Sequence, residues 1–205
     1  MNLSENLWKF ASSYVPLTEA EFKYVHSFFE LRTFKKKEKL TREGEVEKYA
    51  NFIESGLARL YFSKEKKEVI MQFSAENDVI CCYESYLTGK PSKFTTQAIE
   101  PLIVLSITHE NLEKIFEYSP KIERLGRKFA RDEYLKNADF DYNRLRVNSQ
   151  ERFINFMQSN GDLIQRVPQK YLASYLNIKP ETFSRLKHLL KKRPLLVKSS
   201  NNIYK

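Results

Sequence analysis

Between residues 31 and 108, apolar and polar positions alternate in short runs, which is the pattern of half-buried β-strands. Residues that favour turns separate these runs, at Gly44, Gly56, Asn77 and Gly89. Six to eight short strands at this spacing predict a β-sandwich or roll. The predicted strands are residues 31–34, 39–40, 49–55, 57–63, 67–73, 78–82, 94–98 and 102–108.

Helical spacing replaces the alternation on both sides of the predicted roll. Upstream, Thr18 and Glu21 form a capping box that begins a helix, with inward positions at Phe22, Val25, Phe28 and Phe29. Downstream, residues 120–147 predict one long helix, whose apolar positions are Ile122, Leu125, Phe129, Tyr134, Leu135, Ala138 and Leu145. This helix is too polar to be buried within one subunit, so we expect it to pair with a second copy of the chain.

Residues 167–192 predict a helix, a turn and a second helix. Pro168 and Pro180 each suit the first position of a helix, where the missing N–H costs nothing. Asn177 suits the turn because asparagine adopts the left-handed conformation readily, and the small Ala173 lets the two helices cross closely. This spacing is that of a helix-turn-helix. The expected core residues are Leu172, Leu176, Ile178, Phe183 and Leu186, with Phe153, Ile154, Phe156 and Met157 from a helix over 150–159.

Beyond Lys192 the pattern predicts a C-terminal hairpin. Pro194 ends the helix, and two β-prone runs, 195–197 and 203–204, flank the turn-forming segment 199–202. A helix pair followed by a hairpin predicts a winged helix.

Charge is segregated into this C-terminal block. The chain has 35 basic and 26 acidic residues, and residues 148–205 hold 11 of the basic and 3 of the acidic ones. The block therefore carries a net charge of +8, whereas residues 1–147 carry +1. A localised basic excess is expected of a surface that binds a phosphate backbone, and a solvated charged face is the alternative.

The N-terminal part of the second helix carries side chains suited to reading DNA. Arg185 can fork onto O6 and N7 of guanine, and Glu181 can accept a hydrogen bond from the amino group of cytosine. With Ser184 on the same outer face, these three are the predicted base contacts. A surface ion pair between Glu181 and Arg185 is the alternative. The predicted phosphate contacts are Gln169, Lys170, Thr182, Lys187 and Lys198.

Composition narrows the remaining classes of protein. The 205 residues, of which 41% are hydrophobic, suffice for two domains. No apolar run approaches the roughly 20 residues of a membrane span, and the first ten residues do not resemble a signal peptide. Cys81 and Cys82 are adjacent and cannot form an ordinary disulfide framework. We therefore expect a cytoplasmic protein without a membrane partner.

The order helix, β-roll, long helix and winged helix resembles the cyclic-AMP receptor protein and fumarate–nitrate regulator family of bacterial transcription factors. The resemblance covers nearly the whole chain. Residues 42–45 look like the family's early roll turn, residues 52–62 like its next hairpin, and residues 77–80 like its Gly-Asp turn with asparagine in place of glycine. Residues 181–185 look like its recognition-helix core, which implies base contacts by Glu181 and Arg185; Pro180 stands where the family often has arginine.

The resemblance implies an α+β fold in three parts. These are a jelly-roll-like effector domain in residues 1–119, a dimerisation helix in 120–147 and a winged helix-turn-helix in 148–205. It also implies the partners: a second copy of the chain, double-stranded DNA and RNA polymerase. DNA binding is then either controlled by an unidentified small effector in the roll or independent of any effector.

The predicted ligand cassette departs from the family pattern. Cyclic-AMP binders carry a glycine-glutamate pair and then an arginine, because phosphate needs a guanidinium and N–H donors and ribose needs a carboxylate. The matching stretch, residues 81–93, has no arginine, so we do not expect cyclic AMP. The candidate effector pocket consists of Tyr83, Glu84, Ser85, Lys90, Ser92 and Lys93.

Two cysteines cannot supply the four thiolates of an iron–sulfur cluster, so no cofactor is expected. We expect Cys81 and Cys82 to pack in a strand, with a thiol redox response as the alternative.

Related rolls also host metal-dependent enzymes, whose sites need clustered ligands. His26, His109 and His188 are scattered over three regions, so no catalytic or metal-binding residue is predicted. A winged helix that binds protein instead of DNA is a further alternative.

Overall fold

The computed structural model describes residues 3–65 and 67–192, with side chains up to residue 188. The helices are α1 (Glu5–Tyr14), α2 (Glu19–His26), α3 (Tyr83–Thr88), α4 (His109–Tyr118), α5 (Pro120–Arg146), α6 (Ser149–Ser159), α7 (Gly161–Arg166), α8 (Gln169–Tyr175) and α9 (Pro180–Lys192). The strands are β1 (Glu30–Phe34), β2 (Lys39–Thr41), β3 (Tyr49–Ser55), β4 (Ala58–Lys64), β5 (Lys67–Ser74), β6 (Val79–Ile80), β7 (Thr95–Ala98) and β8 (Leu102–Thr108).

These strands form two antiparallel four-stranded sheets. Their orders are β1-β8-β3-β6 and β2-β7-β4-β5, so most neighbours in space are distant in sequence. The period-2 alternation of each strand directs one set of side chains into the space between the sheets. That core contains Ile53, Ala58, Leu60, Ile80, Cys82, Ala98, Leu102 and Val104.

Gly56 makes the turn between β3 and β4. Its φ of +101° is unfavourable for residues with a side chain, and a Cβ atom would lie 2.2 Å from the carbonyl oxygen of Pro101. Glycine is therefore required here for both backbone conformation and space.

Helices cover the outer face of the first sheet. The Ser4 side chain caps α1, and Thr18 and Glu21 form the expected capping box of α2. A second apolar cluster joins α1, α2, α4 and the beginning of α5 to the sheet, and includes Leu7, Phe22, Phe52, Leu105, Ile115 and Ile122. The N-terminal helices are thus part of the roll domain's core.

Contacts divide the chain into two units, Met1–Tyr134 and Leu135–Lys205, and the boundary falls inside α5. In the first unit, Leu125 and Phe129 of α5 pack against the roll's helical core. In the second unit, α5 exposes Leu135, Tyr142 and Leu145, of which Leu145 is 88% exposed.

The second unit has its own small core, formed by α6, α8 and α9. Phe153 and Phe183 are both at most 1% exposed, and their rings meet edge to face with centroids 5.0 Å apart. Leu172, Ala173, Leu176 and Leu186 are also buried there, and Ile178 is half-buried. The apolar spacing of the sequence predicted this core.

The expected α+β fold with an antiparallel roll is confirmed, and most predicted strands agree with the structure to within one residue. Three details are wrong. The strand predicted at 78–82 contains only Val79 and Ile80, because Cys82 is already the N-cap residue of α3, which begins at Tyr83. Helix α2 ends at His26, before Phe28. Pro168 is the N-cap of α8 and not its first residue. The hairpin predicted in 195–204, with Lys198, lies outside the described residues.

Candidate nucleic-acid interface

The turn between α8 and α9 is closed by backbone hydrogen bonds. Asn177 has a φ of +51°, the left-handed conformation predicted for it. The Ile178 N–H donates to the Ala173 carbonyl and the Asn177 N–H to the Ser174 carbonyl, each at 3.0 Å. This is the Schellman pattern, which satisfies the Ala173 and Ser174 carbonyls of α8 and turns the chain sharply. Pro180 then occupies the first position of α9, as predicted.

Helix α9 has one buried and one exposed face. Phe183 and Leu186 point into the core, so the opposite face turns outward. Glu181, Ser184, Arg185 and His188 are all exposed and follow the i, i+3, i+4, i+7 spacing of one helix face. The three predicted base contacts therefore share one surface, and His188, which was not among the predicted contacts, extends it.

No ion pair joins Glu181 to Arg185 among the residues that the structure describes. The alternative interpretation of these residues, an intrahelical pair, is thus not realised in this conformation. Both side chains keep their hydrogen-bonding groups available for a ligand.

Helices α8 and α9 enclose a shallow notch beside this face. It has a volume of about 160 Å³ and is lined by Gln169, Ser184, Lys187 and His188. The notch brings two predicted phosphate contacts, Gln169 and Lys187, next to the predicted base contact Ser184. Of the other predicted phosphate contacts, Lys170 is exposed and lies with its ammonium 4.8 Å from the Tyr171 ring centroid, and Thr182 is half-buried.

The candidate effector residues lie on and around α3. Glu84 and Lys93 form an exposed ion pair, with Nζ–Oε distances of 2.8 and 2.9 Å. Ser85 is buried: its hydroxyl accepts from the Glu47 N–H at 2.9 Å and donates to the Lys90 carbonyl at 2.5 Å. The Ser92 hydroxyl donates to the Phe94 carbonyl at 2.8 Å. The hydroxyls of Ser85 and Ser92 and the ammonium of Lys93 therefore already have hydrogen-bond partners within the roll.

Tyr83 is the member of this set that faces the apolar core. Its ring centroid lies 6.4 Å from that of Phe129 on α5, and burial raises the pKa of its phenol strongly. Within the described part of the chain, its hydroxyl is buried without a hydrogen-bond partner.

A buried carboxylate that the sequence argument missed lies beside the start of α3. Glu47 is 3% exposed; it accepts hydrogen bonds from the Thr41 hydroxyl at 2.7 Å and from the Cys82 N–H at 3.4 Å. Burial raises the pKa of this carboxyl. In either protonation state Glu47 supplies no positive charge for an anionic ligand nearby.

The buried arginine of the roll is also engaged. The Arg59 guanidinium forks onto Glu68 at 2.7 and 2.9 Å, contacts the Gln97 side chain, and stacks 4.1 Å from the Tyr61 ring centroid. Arg59 thus forms a bidentate pair within the roll.

Both cysteines are reduced and buried, at 1% and 3% exposure. They lie between β6 and α3, and Cys82 packs in the core between the sheets. Burial raises the pKa of the Cys81 thiol well above its ordinary value, which disfavours the reactive thiolate.

The roll itself matches a known domain model, that of the cyclic nucleotide-binding domain, over residues 31–119. No curated protein sequence matches the chain.

Solved structures extend the likeness beyond the cyclic nucleotide-binding domain. FixK2 from Bradyrhizobium japonicum is 20% identical, with 84% of this chain and 89% of that chain covered and a TM-score of 0.68. The c-di-GMP-responsive global regulator CLP from Xanthomonas campestris is 12% identical, with coverages of 85% and 92% and a TM-score of 0.67. A putative transcriptional regulator of the crp/fnr family from Eubacterium rectale is 14% identical, with 88% of both chains covered and a TM-score of 0.65. The chain shares the fold of these regulators, as the sequence resemblance implied.

Among residues 3–65 and 67–192, no group of three or more His, Cys, Asp or Glu side chains is placed to hold a metal ion. No helix in the described part of the chain is long and apolar enough to cross a membrane.

Proposed function

We propose that the protein is a DNA-binding transcriptional regulator that reads bases in the major groove with α9. The observation that carries this proposal is the exposed face of α9, where Glu181, Ser184 and Arg185 stand together. Among the side chains that the structure describes, no ion pair joins Glu181 to Arg185. The opposite face of the helix is held by the buried Phe183, so the reading face has a fixed orientation. The fold shared with solved transcription regulators supports this function.

The DNA backbone would be held on either side of the reading face. Gln169 and Lys187 meet at the notch between α8 and α9, Lys170 and Thr182 flank it, and Lys198 belongs to the same basic block. Contacts of this kind fix the register on the duplex without selecting sequence. The net charge of +8 in residues 148–205 favours phosphate over an acidic protein partner, because each released counterion adds to the affinity for DNA.

The regulator would act as a homodimer paired through the second half of α5. Leu135, Ala138, Tyr142 and Leu145 are spaced by three, four and three residues, which is the spacing of a coiled-coil seam, and all four are exposed in the single chain. Two copies related by a twofold axis would place their α9 helices in successive major grooves, ~34 Å apart, on an inverted repeat.

The cyclic nucleotide-binding domain would serve as the control element, in contact with a small effector or with none, and the dimer would recruit or block RNA polymerase. We expect neither cyclic AMP nor an iron–sulfur cluster. Lys93 is paired with Glu84 and Arg59 with Glu68, and the buried Glu47 lies beside α3. An effector would control transcription only if it bound two conformations with different affinity.

The test is selection of bound fragments from sheared genomic DNA of the source organism by the purified protein, without added ligand, at two salt concentrations. We expect an inverted-repeat motif and a steep loss of affinity with salt. Salt-sensitive binding with no motif would point to an effector requirement, which repeating the selection with cell extract would satisfy. Binding insensitive to salt would overturn the proposal and favour a protein partner for the helix pair.

A further inference from the structure

We infer that Arg152 is a positioning residue that locks the turn before α9 onto the C-terminal end of α5, an inference that rests on the proposed DNA-reading role of α9. Arg152 lies in the first half of α6. Its side chain donates to backbone carbonyls on two segments of the chain. One segment precedes Arg152 by 5 to 8 residues, and the other follows it by 24 and 25 residues.

One half of the guanidinium holds the turn. Its Nε–H donates to the Leu176 carbonyl at 3.0 Å, and Nη2 donates to the Asn177 carbonyl at 3.4 Å. Leu176 is the C-cap of α8, and Asn177 is the left-handed residue that redirects the chain toward α9. The contact is therefore made at the bend that sets the direction of α9.

The other half holds the end of α5. Nη1 donates to the Val147 carbonyl and, at 3.4 Å, to the Arg144 carbonyl. Arg144 lies in the last turn of α5, and Val147 follows that helix directly. One side chain thus connects the C-terminal end of α5 with the turn between α8 and α9.

Physical chemistry explains why an arginine is placed here. The last carbonyls of a helix have no intrahelical partner and form the negative end of the helix dipole. The ends of α5 and α8 both converge on Arg152, so a single cation satisfies both. A guanidinium offers five N–H donors in a rigid planar fork, whereas an ammonium offers three donors from one point and cannot bridge two groups of carbonyls in the same way.

Aromatic contacts reinforce the same connection. The Phe140 ring of α5 lies 4.8 Å from the Tyr175 ring of α8, measured between centroids, and Tyr175 lies 5.6 Å from Phe156 of α6. The end of α5, helix α6 and the turn before α9 therefore move as one body. Any rotation of the α5 seam in the dimer is transmitted to the base-reading face.

The test compares Arg152→Lys with Arg146→Lys, the same substitution on an exposed arginine six residues earlier. We call the four hydrogen bonds from Arg152 to the two segments the clamp. Amide hydrogen exchange, measured without DNA, reports on it directly. We expect R152K to unfold cooperatively but to exchange about tenfold faster at residues 144–148 and 176–179, because charge-assisted hydrogen bonds to these two segments are lost. R146K should exchange like the wild type. Equal exchange in R152K and the wild type would overturn the inference.

DNA binding provides the second readout. R152K retains its charge, so its affinity for random-sequence DNA should be unchanged, whereas its preference for the selected motif should fall by about tenfold as α9 loses its fixed orientation. A parallel loss of both affinities would indicate general unfolding and overturn the positioning role. If the wild type selects no motif even when cell extract is added, the proposed function fails, and the exchange rates alone decide whether the clamp exists.

A wild-type measurement covers the case in which R152K does not fold. The Nε–H proton of Arg152 should exchange with water about tenfold more slowly than that of the exposed Arg146, because it is held by the Leu176 carbonyl. Equal rates for the two side chains would contradict the clamp.

Discussion

The Thr41 hydroxyl donates a 2.7 Å hydrogen bond to the carboxylate of Glu47, and both side chains are buried in the roll. The pair connects β2 with the segment that enters β3, next to the first residues of α3. Because burial outweighs the hydrogen bonds, the pKa of Glu47 is raised, and the ionised form is disfavoured in the folded protein.

Glu47→Gln should therefore change how stability depends on pH. A pKa raised by folding contributes stability that is fully present below the unfolded value of 4.5 and is lost as pH rises through the folded pKa. Glutamine accepts the Thr41 hydrogen bond without a charge. The free energy of unfolding of E47Q should therefore exceed that of the wild type from pH 4.5 upward, by about 1.4 kcal/mol for each unit by which the pKa is raised. Urea unfolding at pH 4.5 and pH 8 measures this.

Glu45→Gln is the matched control, two residues away on the surface. The Arg42 N–H donates to Glu45 at 2.8 Å and lowers the pKa of its carboxyl. Its stabilising contribution is present above the unfolded pKa and is lost as pH falls, so E45Q should show the opposite pH trend. Parallel trends for the two variants would contradict the assignment of Glu47 as a destabilised buried acid.

The capping box of α2 is linked to α5 by an ion pair. Lys121 donates to Glu21 at 2.8 Å, and this contact, with the Thr18 N–H, lowers the pKa of Glu21 to about 2. Lys121→Met should raise this pKa and reduce stability at pH 7, and the difference from the wild type should vanish as pH falls from 4.5 toward 2. Carboxyl NMR titration of Glu21 with thermal unfolding checks both statements. An unchanged titration in K121M would show that the capping box alone holds Glu21 ionised.

Two substitutions in the helix pair separate base reading from backbone contact. Arg185→Ala should cost ~1–3 kcal/mol on the selected motif and relax preference at one position in each half-site. Lys170→Ala should weaken binding to all sequences alike and lower the salt dependence by about one unit of slope. Fragment selection and affinity measurement at several salt concentrations distinguish the two patterns. A sequence-selective loss in K170A would reverse its assignment.

Leu145→Glu should dissociate the dimer without unfolding the chain. Leu145 is 88% exposed in the single chain, so a charge there costs the monomer little. Burial of a leucine contributes ~1.5–3 kcal/mol per copy, and two copies meet, so the dimer dissociation constant should rise by roughly 100-fold or more. Sedimentation equilibrium measures it. Asn137→Glu adds the same charge on another face of α5 and should leave the dimer intact; equal effects would place the interface elsewhere.

Local signals account for the elements that the sequence predicted correctly. Strand alternation with turn residues at Gly44, Gly56, Asn77 and Gly89 located the roll, and all four positions have positive φ. Asn177 and Pro180 located the turn and the start of α9 for the same reason: each residue favours its conformation independently of distant contacts.

The elements that were missed depend on contacts that are remote in sequence. Helix α1 had a readable cap at Ser4, but its stability comes from packing on α2, where Trp8 meets Phe22 at 4.7 Å. Short helices such as α3 have too few residues for a periodic pattern. The roles of Arg152 and Glu47 follow from partners that only the folded chain brings near, so one-dimensional patterns do not reveal them. The division into domains at 119 and 147 and the hairpin stay predictions.

The burial of Cys81 and Cys82 has a practical consequence for chemical labelling. They are the chain's two cysteines, and both are almost fully shielded from solvent. A maleimide or disulfide reagent should therefore modify the native protein slowly, at the rate at which the junction of β6 and α3 opens. The rate at which the two thiols are modified thus reports the rate of local opening of the roll. A cysteine introduced on the surface of α9 can be labelled before Cys81 and Cys82 react.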